Sequence, residues 1–396
     1  MSRTILDVHI LQTVPPSNLN RDDTGSPKTA VYGGVRRARV SSQAWKRATR
    51  RAFSDLLEPS ELGVRTKRVV ELLAERIRGL RSDLDEKKAT ALAVETLRAA
   101  TGAKIEVPKR KADAAAKEGK EEPAPESSYL LFLSSRQLDA LAGLAAEGAD
   151  DFKKFLKDKE NKARVREAAN TRHSVDIALF GRMVADATDI NVDGAAQVAH
   201  ALSVHAVETE SDYYTAVDDR NTDSEPGAGM IGTVDFNSAT FYRYAAVDVD
   251  LLRKNLGAGM REDEPTTTPV RRAVQAFLKG FITSLPTGKI NSFGNHTLPD
   301  AVLVKLRSTR PVNFVAAFED PVTADHTGGH LSRSCEKLAR HVTDIEHAYG
   351  GKDDPSWVLR VGTATEPLAA LGTEVTLDEL IDRVGTAVAE RLESDA

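Results

Sequence analysis

Hydrophobic and polar positions alternate at the start of the chain. Leu6, Val8 and Ile10 fall on one side of residues 4–12, and Asp7 and His9 on the other. A period of two predicts a strand buried on one face. Residues 13–29, TVPPSNLNRDDTGSPKT, have no such period and are rich in turn-forming types, which predicts a long polar loop. Loops of this length within a compact domain tend to be functional. VRRARVSS (35–42) is then a short strand, with Arg37 and Arg39 on the face of Val35, and Arg36 on that of Ala38 and Val40. A helix follows, capped by Ser41 or Ser42. Its apolar stripe is Trp45, Ala48, Ala52 and Phe53, and the pairs Lys46/Arg50 and Arg47/Arg51, each four apart, crowd the remaining surface.

From 59 to 172 the texture is helical, charged and rich in Ala and Leu. Within it, KRKADAAAKEGKEEPAPESS (109–128) is poor in hydrophobics and predicts a mobile loop. Strand texture resumes at SVDIALFGRMV (174–184), where Val175, Ile177 and Leu179 alternate with Asp176 and Ala178, so 59–172 is expected to be an insertion. Residues 195–210 and 232–250 predict two long strands joined by a polar tip, hence a projecting hairpin. Helical periodicity marks 268–284, 330–349 and 376–393, and strand-like runs mark 311–318 and 356–363. No internal repeat is visible. The order of elements predicts an α+β fold, a sheet core with helical decorations, and not a doubly wound parallel sheet.

Composition narrows this picture little, and charge narrows it a great deal. The 396 residues are 41% hydrophobic and 29% charged, ordinary for a globular protein, with aromatics at 5%. Cys335 is the single cysteine, so no disulfide forms within the chain and a reducing cytoplasm is the expected home. No apolar run is long enough for a membrane span, and the N-terminus does not read as a signal peptide. The net charge is −5, yet residues 24–54 hold eight Lys or Arg and no Asp or Glu. Solvated faces normally mix signs. An acid-free segment leading into a Ser-capped helix start suits a phosphate, and a plain solvated cationic face is the competing reading. The hairpin tip is the opposite: residues 208–225 hold seven acids and one Arg around adjacent Tyr213 and Tyr214. Those tyrosines point to opposite faces, either as local packing or as a base-stacking wedge.

Other chemistry is sparse. No nucleophile elbow, Walker loop or dinucleotide fingerprint is present. TGKINSFGNHT (287–297), with Lys289, suits close backbone approach to a ligand. His326 and His330 have helical ligand spacing but no cysteine beside them, so no metal site is expected there. His200 and His205 read as structural; His9 has the chemistry of a general base without a nameable partner. Asp22 and Asp23 in the first loop have the chemistry to hold a metal, although carboxylates are common in surface loops.

Five stretches together, SNLNRDD…GGVRRARVSSQAWKRATRR, VDIALFGRM, YYTAVDD, FYRYA and GKINSFGNHT, resemble the CasC family. CasC is the backbone (Cse-type) subunit of Cascade, the type I-E CRISPR surveillance complex, in the RAMP superfamily. The resemblance runs over essentially the whole chain and is weakest across 59–172. It implies a hand: a palm built on a modified RNA-recognition-motif (ferredoxin-like) sheet from 1–58 and 173–396, helical fingers from 59–172, and a thumb hairpin at about 205–232. It implies copies stacked head to tail along CRISPR RNA, with each palm cradling the guide backbone and each thumb displacing one nucleotide. The flanking bases pair with target DNA. Carried over residue by residue, it assigns RNA contact to Arg21 and Lys28 in the first loop and to Ser41, Gln43, Lys46 and Arg50 at the helix start. It further assigns Met183, which packs on bases, and Tyr213, Tyr214 and Thr215 at the thumb. Arg37, Arg39 and Lys289 join them on charge and position. The family implies a non-catalytic scaffold without cofactor or metal, partnered by other Cascade subunits, with target cleavage left to a separate helicase-nuclease. Asp22 and Asp23 keep open a metal-dependent RNA endonuclease of type III kind, and a monomeric RNA-binding or processing protein is the other alternative. The acidic thumb, including Asp218 and Asp219, is expected to meet a basic surface of the next copy.

Overall fold

β1 (Ile5–Ser17) is buried on both faces, not on one as its alternation predicts. Asp7 and His9 are enclosed together with side chains they bond or stack on. Asp7 accepts from the Tyr244 hydroxyl at 2.8 Å and from the Val312 amide at 3.0 Å, and pairs with Arg307. His9 Nδ1 lies 2.9 Å from the Tyr242 hydroxyl, and its ring stacks on Phe314 at 4.5 Å. Burial lowers the His9 pKa well below its ordinary value, and the ring sits in the core with Tyr242 and Phe314.

The structure is a computed structural model that describes residues 3–120, 123–184, 188–216, 230–257, 264–265, 267–324 and 329–394. It has the expected mixed α+β character. One compact unit comprises 1–53, 197–248 and 274–396. Its strands are β1, β2 (Thr29–Tyr32), β3 (Val35–Val40), β4 (Ala201–Ser203), β5 (Glu210–Ala216), β6 (Met230–Asp248), β7 (Ala301–Arg307), β8 (Ser356–Arg360) and β9 (Thr373–Glu374). They are ordered β9-β8-β7-β1-β6-β4-β3-β2, with β5 pairing β6 off this path. β1 and β6 run antiparallel from Ile5↔Asp248 to Ser17↔Asn237, with a register shift between Val14 and Ser17. Pro15 and Pro16 lie in that gap and have no N–H to give the ladder.

Each sheet face is covered. On one, Leu11, Tyr242, Leu303 and Phe314 pack with Leu338 and Val342 of the His330–Tyr349 helix. On the other, Arg243 stacks its guanidinium 3.7 Å over the Trp45 ring and donates to Gln12 Oε1 at 2.6 Å. β7 escaped prediction because AVLVKLR is buried throughout, so no alternation marks it. Its two cations are compensated internally, Lys305 by Glu346 at 2.6 Å and Arg307 by Asp7 and Asp354.

The second unit comprises 54–196 and 249–273. Helices Val69–Leu80, Glu86–Thr101, Ser135–Glu147 and Lys159–Asn170 enclose Leu73, Ile77, Leu97, Leu138, Leu141 and Val165. This unit also takes in 173–196, expected in the sheet core, and within it 175–180 is a helix and not a strand. The Asp176 carboxylate ties that helix down, accepting from Gly63 N at 3.0 Å and Ser174 Oγ at 2.6 Å. The alternation that predicts a strand there arises because the polar Asp176 is itself buried, so it marks no solvent face.

Three further expectations are corrected. Residues 109–118 form a helix with no buried residue, where a mobile loop was expected. The expected strand 195–210 is broken into Ala196–Val198, Ala201–Ser203 and the start of β5. Residues 314–318 form a 3₁₀ turn, with Asn313 capping Val315 N. Among the described residues no helix is long and apolar enough to cross a membrane.

Candidate nucleic-acid interface

The first loop is held in one shape by its own side chains. Asp22 Oδ1 accepts from Thr24 N at 2.9 Å, Thr24 Oγ1 at 2.8 Å and Ser26 N at 3.0 Å, an Asx turn. Those bonds hold the Asp22 carboxyl below its ordinary pKa. Asn18 Nδ2 donates to Gly25 O at 2.9 Å and Asp235 O at 2.8 Å, pinning the loop to β6.

Asn20 then joins the loop to the helix start. Its carbonyl accepts from Lys28 N at 2.9 Å, and its side-chain oxygen accepts from Ser41 N at 2.9 Å. Arg39 N in turn donates to Lys28 O at 2.9 Å. Helix α1 (Ser42–Ala52) begins there with Ser41 as its cap, accepting from Ala44 N. Trp45, Thr49 and Phe53 form its buried face; Ala48 and Ala52 of the expected stripe are only half-buried. Gln43 and Arg47 are exposed, and Lys46 and Arg50 are half-buried. Burial lowers the Lys46 ammonium below the usual lysine range.

A second loop arrives from the far end of the sequence. A Cβ at Gly288 would lie 2.4 Å from the carbonyl oxygens of Asn18 and Leu19, so only glycine permits this approach. It brings Lys289, in the left-handed region at φ +50°, beside the first loop. Phe293 closes the group against Phe236 of β6 at 5.7 Å between ring centroids. A shallow hollow among these elements is lined by Ser17, Asn20, Lys28, Arg39, Asn237 and Phe241. The buried Asn237 Nδ2 has no hydrogen-bond partner.

Lys28, Arg39 and Ser41 are thus linked in one hydrogen-bonded knot through Asn20; Arg21 follows Asn20 in the chain, and Lys289 follows the Gly288 that meets Asn18 and Leu19. Arg37 is not among them. It is 0% exposed and donates to the carbonyls of Tyr32, Ser203, Phe318 and Glu319 at 2.8–3.2 Å. A guanidinium spent on four main-chain oxygens has no fork left for a phosphate. Arg39, two positions along on the same face, is half-exposed; it donates to Thr29 O and meets His200 Nδ1 at 3.0 Å. Burial, then the charges of Arg39 and Lys28, lowers the His200 pKa.

Along the hairpin the register pairs Tyr213↔Thr233, Tyr214↔Gly232 and Thr215↔Ile231. The two rings take opposite faces and differ in freedom. Tyr213 is 60% exposed and Tyr214 40%. The Tyr214 ring lies across Gly232, where a Cβ would come within 2.5 Å of its hydroxyl end. Met230 and Ile231 are also largely exposed here and were missed, since a strand sequence alone does not say which hairpin end lacks a second layer. Asp218 and Asp219 lie outside the described residues.

Met183 belongs to the second unit and is 83% exposed. His326 lies outside the described residues; His330 stacks on His205 at 3.8 Å and 12°. Among the described residues no group of three His, Cys, Asp or Glu is arranged to hold a metal.

The family model described as CT1975-like protein (Cas_CT1975) matches residues 6–383. The chain belongs to the CT1975-like family. Among solved structures, this CT1975-like chain is similar to one from a "CRISPR RNA-guided surveillance complex, pre-nicking", at 35% identity and TM-score 0.79, covering 97% of this chain and 100% of that one. A second, from a "CRISPR RNA-guided surveillance complex", shares 32% identity at TM-score 0.69, covering 97% of this chain and 99% of that one. No curated protein matches it.

Proposed function

We propose that this CT1975-like chain is a CasC-type subunit: a non-catalytic scaffold that binds CRISPR RNA and polymerises along it in a Cascade-type complex. The observation that carries this reading is the knot itself. Lys28, Arg39 and the Ser41-capped helix start are joined by hydrogen bonds through the main chain and side chain of Asn20, with Arg21 next to it in the chain, beside an acid-free stretch of sequence. A capped helix start with pre-set cations suits a sugar-phosphate chain of any sequence. Family membership and near-complete coverage of two chains from RNA-guided complexes support the same partner class. In this reading the sheet unit is the RRM-like palm, and the β5–β6 hairpin is the thumb. Tyr213 stacks on a base, Tyr214 braces the hairpin through Gly232, and Met183 packs on bases. The acidic thumb meets the next copy head to tail, other Cascade subunits close the assembly, and target DNA and the helicase-nuclease engage through the guide. A cytoplasmic location follows from that role.

The test is whether the protein from cells carries a discrete RNA of uniform length, and whether assembly size grows with guide length. A monomer with heterogeneous RNA would favour a general RNA-binding protein. The nuclease alternative rests on Asp22 and Asp23. Asp22 is occupied in shaping its own loop, which supports the scaffold reading. Periodic cuts in complementary RNA with a divalent cation would overturn it.

A further inference from the structure

β6 leaves the sheet at a definite point. Its pairing with β1 ends at Ser17↔Asn237, and its pairing with β5 runs outward from Glu210↔Phe236 to Ala216↔Met230. Beyond Asn237 the hairpin is a two-stranded ribbon, and β5 is exposed along all of it. A two-stranded ribbon twists strongly and has little stability of its own. Its direction has to be set at the root, where Asp235 and Phe236 lie.

The root is held on both faces. Ser211 and Asp235 are directly paired, so their side chains share a face. There the Asp235 carboxylate accepts from Ser26 Oγ of the first loop at 2.5 Å through Oδ2, and from Ser211 Oγ of β5 at 2.7 Å through Oδ1. One oxygen is spent on the loop and the other on the hairpin. The Ser26 hydroxyl, then that of Ser211, holds this carboxyl below its ordinary pKa. On the opposite face Phe236 meets Phe293 of the Lys289 loop. Asn18 also donates to Asp235 O. A bond to the main chain at a strand edge leaves rotation about that edge open. The carboxylate closes it, because it ties a side chain of one face to the loop.

We propose that Asp235 is a positioning residue that locks the direction of the hairpin to the first loop and so fixes the length of guide RNA each copy spans. A copy that grips phosphates with its loop and meets its neighbour with its hairpin measures the strand by the angle between the two. This rests on the guide-binding reading above and adds what sets the interval.

The experiment makes two measurements on the full chain. The first needs no RNA. Spin labels at Ile231→Cys and Tyr349→Cys, both largely exposed and in one unit, report the hairpin's direction by double electron–electron resonance, while the buried Cys335 stays unlabelled. The otherwise wild-type chain gives one narrow distance distribution. A net hydrogen bond is worth about a fivefold change in an equilibrium, so Ser26→Ala populates other directions about fivefold more, and Asp235→Ala, which removes both bonds, does so further. Adding Ser26→Ala to Asp235→Ala broadens the distribution no more, as expected of two residues acting as one unit. If Asp235→Ala does not fold by circular dichroism, Ser26→Ala alone decides. The second measurement is native mass on single-stranded guides of increasing length. Wild type adds a copy at a constant increment of nucleotides. Ser26→Ala, which changes no charge, keeps the salt slope of guide binding and loses the constant increment. A distribution that stays narrow in the folded variants overturns the proposal, since Phe236 and Phe293 then suffice. A broadened hairpin with the increment still constant overturns it too, because the angle then does not measure the strand. A narrow wild-type distribution that broadens in Ser26→Ala, from a protein that binds no RNA, overturns the guide-binding reading and the interval with it, and leaves the lock on the hairpin standing.

Discussion

Replacing Arg37 by Met keeps the length of the stem and removes the guanidinium. Four carbonyl oxygens, those of Tyr32, Ser203, Phe318 and Glu319, lose a charged donor at 2.8–3.2 Å. A hydrogen bond to a charged group contributes about 1.5–3 kcal/mol, and an orphaned buried acceptor costs its full desolvation. The four bonds share one group and do not add, so a loss of about 4 kcal/mol is expected, against a typical total of roughly 5–15. At about 2–4 °C per kcal/mol for a unit of this size, the melting temperature falls by about 10 °C. The assay has two readouts on one preparation: thermal unfolding by circular dichroism, and guide-RNA affinity against salt at a temperature where the variant is folded. Arg37→Met lowers the melting temperature and leaves the slope of log affinity on log salt unchanged. Arg39→Met, two residues on, does the reverse: it melts near wild type and reduces the slope by about 0.7, the value for one phosphate on a single strand. If Arg37→Met melts like wild type and loses about 0.7 of slope, its carbonyl contacts are incidental and the assignment of the two arginines is wrong.

Lys46→Ala and Arg50→Ala should each reduce the salt slope by about 0.7 whatever the guide sequence; a sequence-dependent loss would indicate base readout. Gly33→Ala should cost well over 3 kcal/mol, because its φ is +60° and a Cβ would lie 1.6 Å from Glu319 O, whereas Gly34→Ala, with φ +76° and open space, should cost only about 1–3 kcal/mol of backbone strain, read from urea midpoints. Burial pushes His173 and His205 down to about 4, with smaller contributions from Arg182 at His173 and from His330 and Arg37 at His205. Between about 6.5 and that value the unfolded chain binds more protons than the folded one. Stability should therefore fall as pH drops through this window, by up to about 3 kcal/mol per histidine, and denaturation at pH 7 and pH 4 measures it. Tyr213→Ala should weaken guide binding by about 1–3 kcal/mol in a filter or anisotropy assay, if its face is the one that stacks; equal losses at Tyr214 would show that the packing on Gly232 does not set the two rings apart.

The basic segment was legible because its signals are local: a Ser cap, cations four residues apart, and the absence of acids over one stretch. The hairpin was legible only in part: Met230–Asp248 is one long strand and Glu210–Ala216 pairs along it, but the expected strand 195–210 is broken. What the sequence concealed is set by distant partners. Arg37 and Arg39 look alike in VRRARV, and only carbonyls of Ser203, Phe318 and Glu319 decide that one is enclosed. His9 and Asp7 read as a solvent face until Tyr242, Tyr244 and Arg307 arrive from hundreds of residues away. Enclosed runs mislead in two ways: in 175–180 a buried Asp176 makes a helix alternate like a strand, and 301–307, buried throughout, has no alternation to mark it. Lys289 was picked out by its glycine-containing surroundings, but its place beside the first loop depends on Gly288 meeting Asn18 and Leu19.

Asn20 has a wider effect than its two hydrogen bonds suggest. By fastening loop to helix start, it leaves the protein little conformational freedom to surrender when a polymer settles there. If a charged polymer binds there as proposed, the loss of disorder falls on the polymer, while the counterions it releases gain freedom. Successive copies would engage a long strand on near-identical terms, each addition drawing on the same local free energy as the one before it.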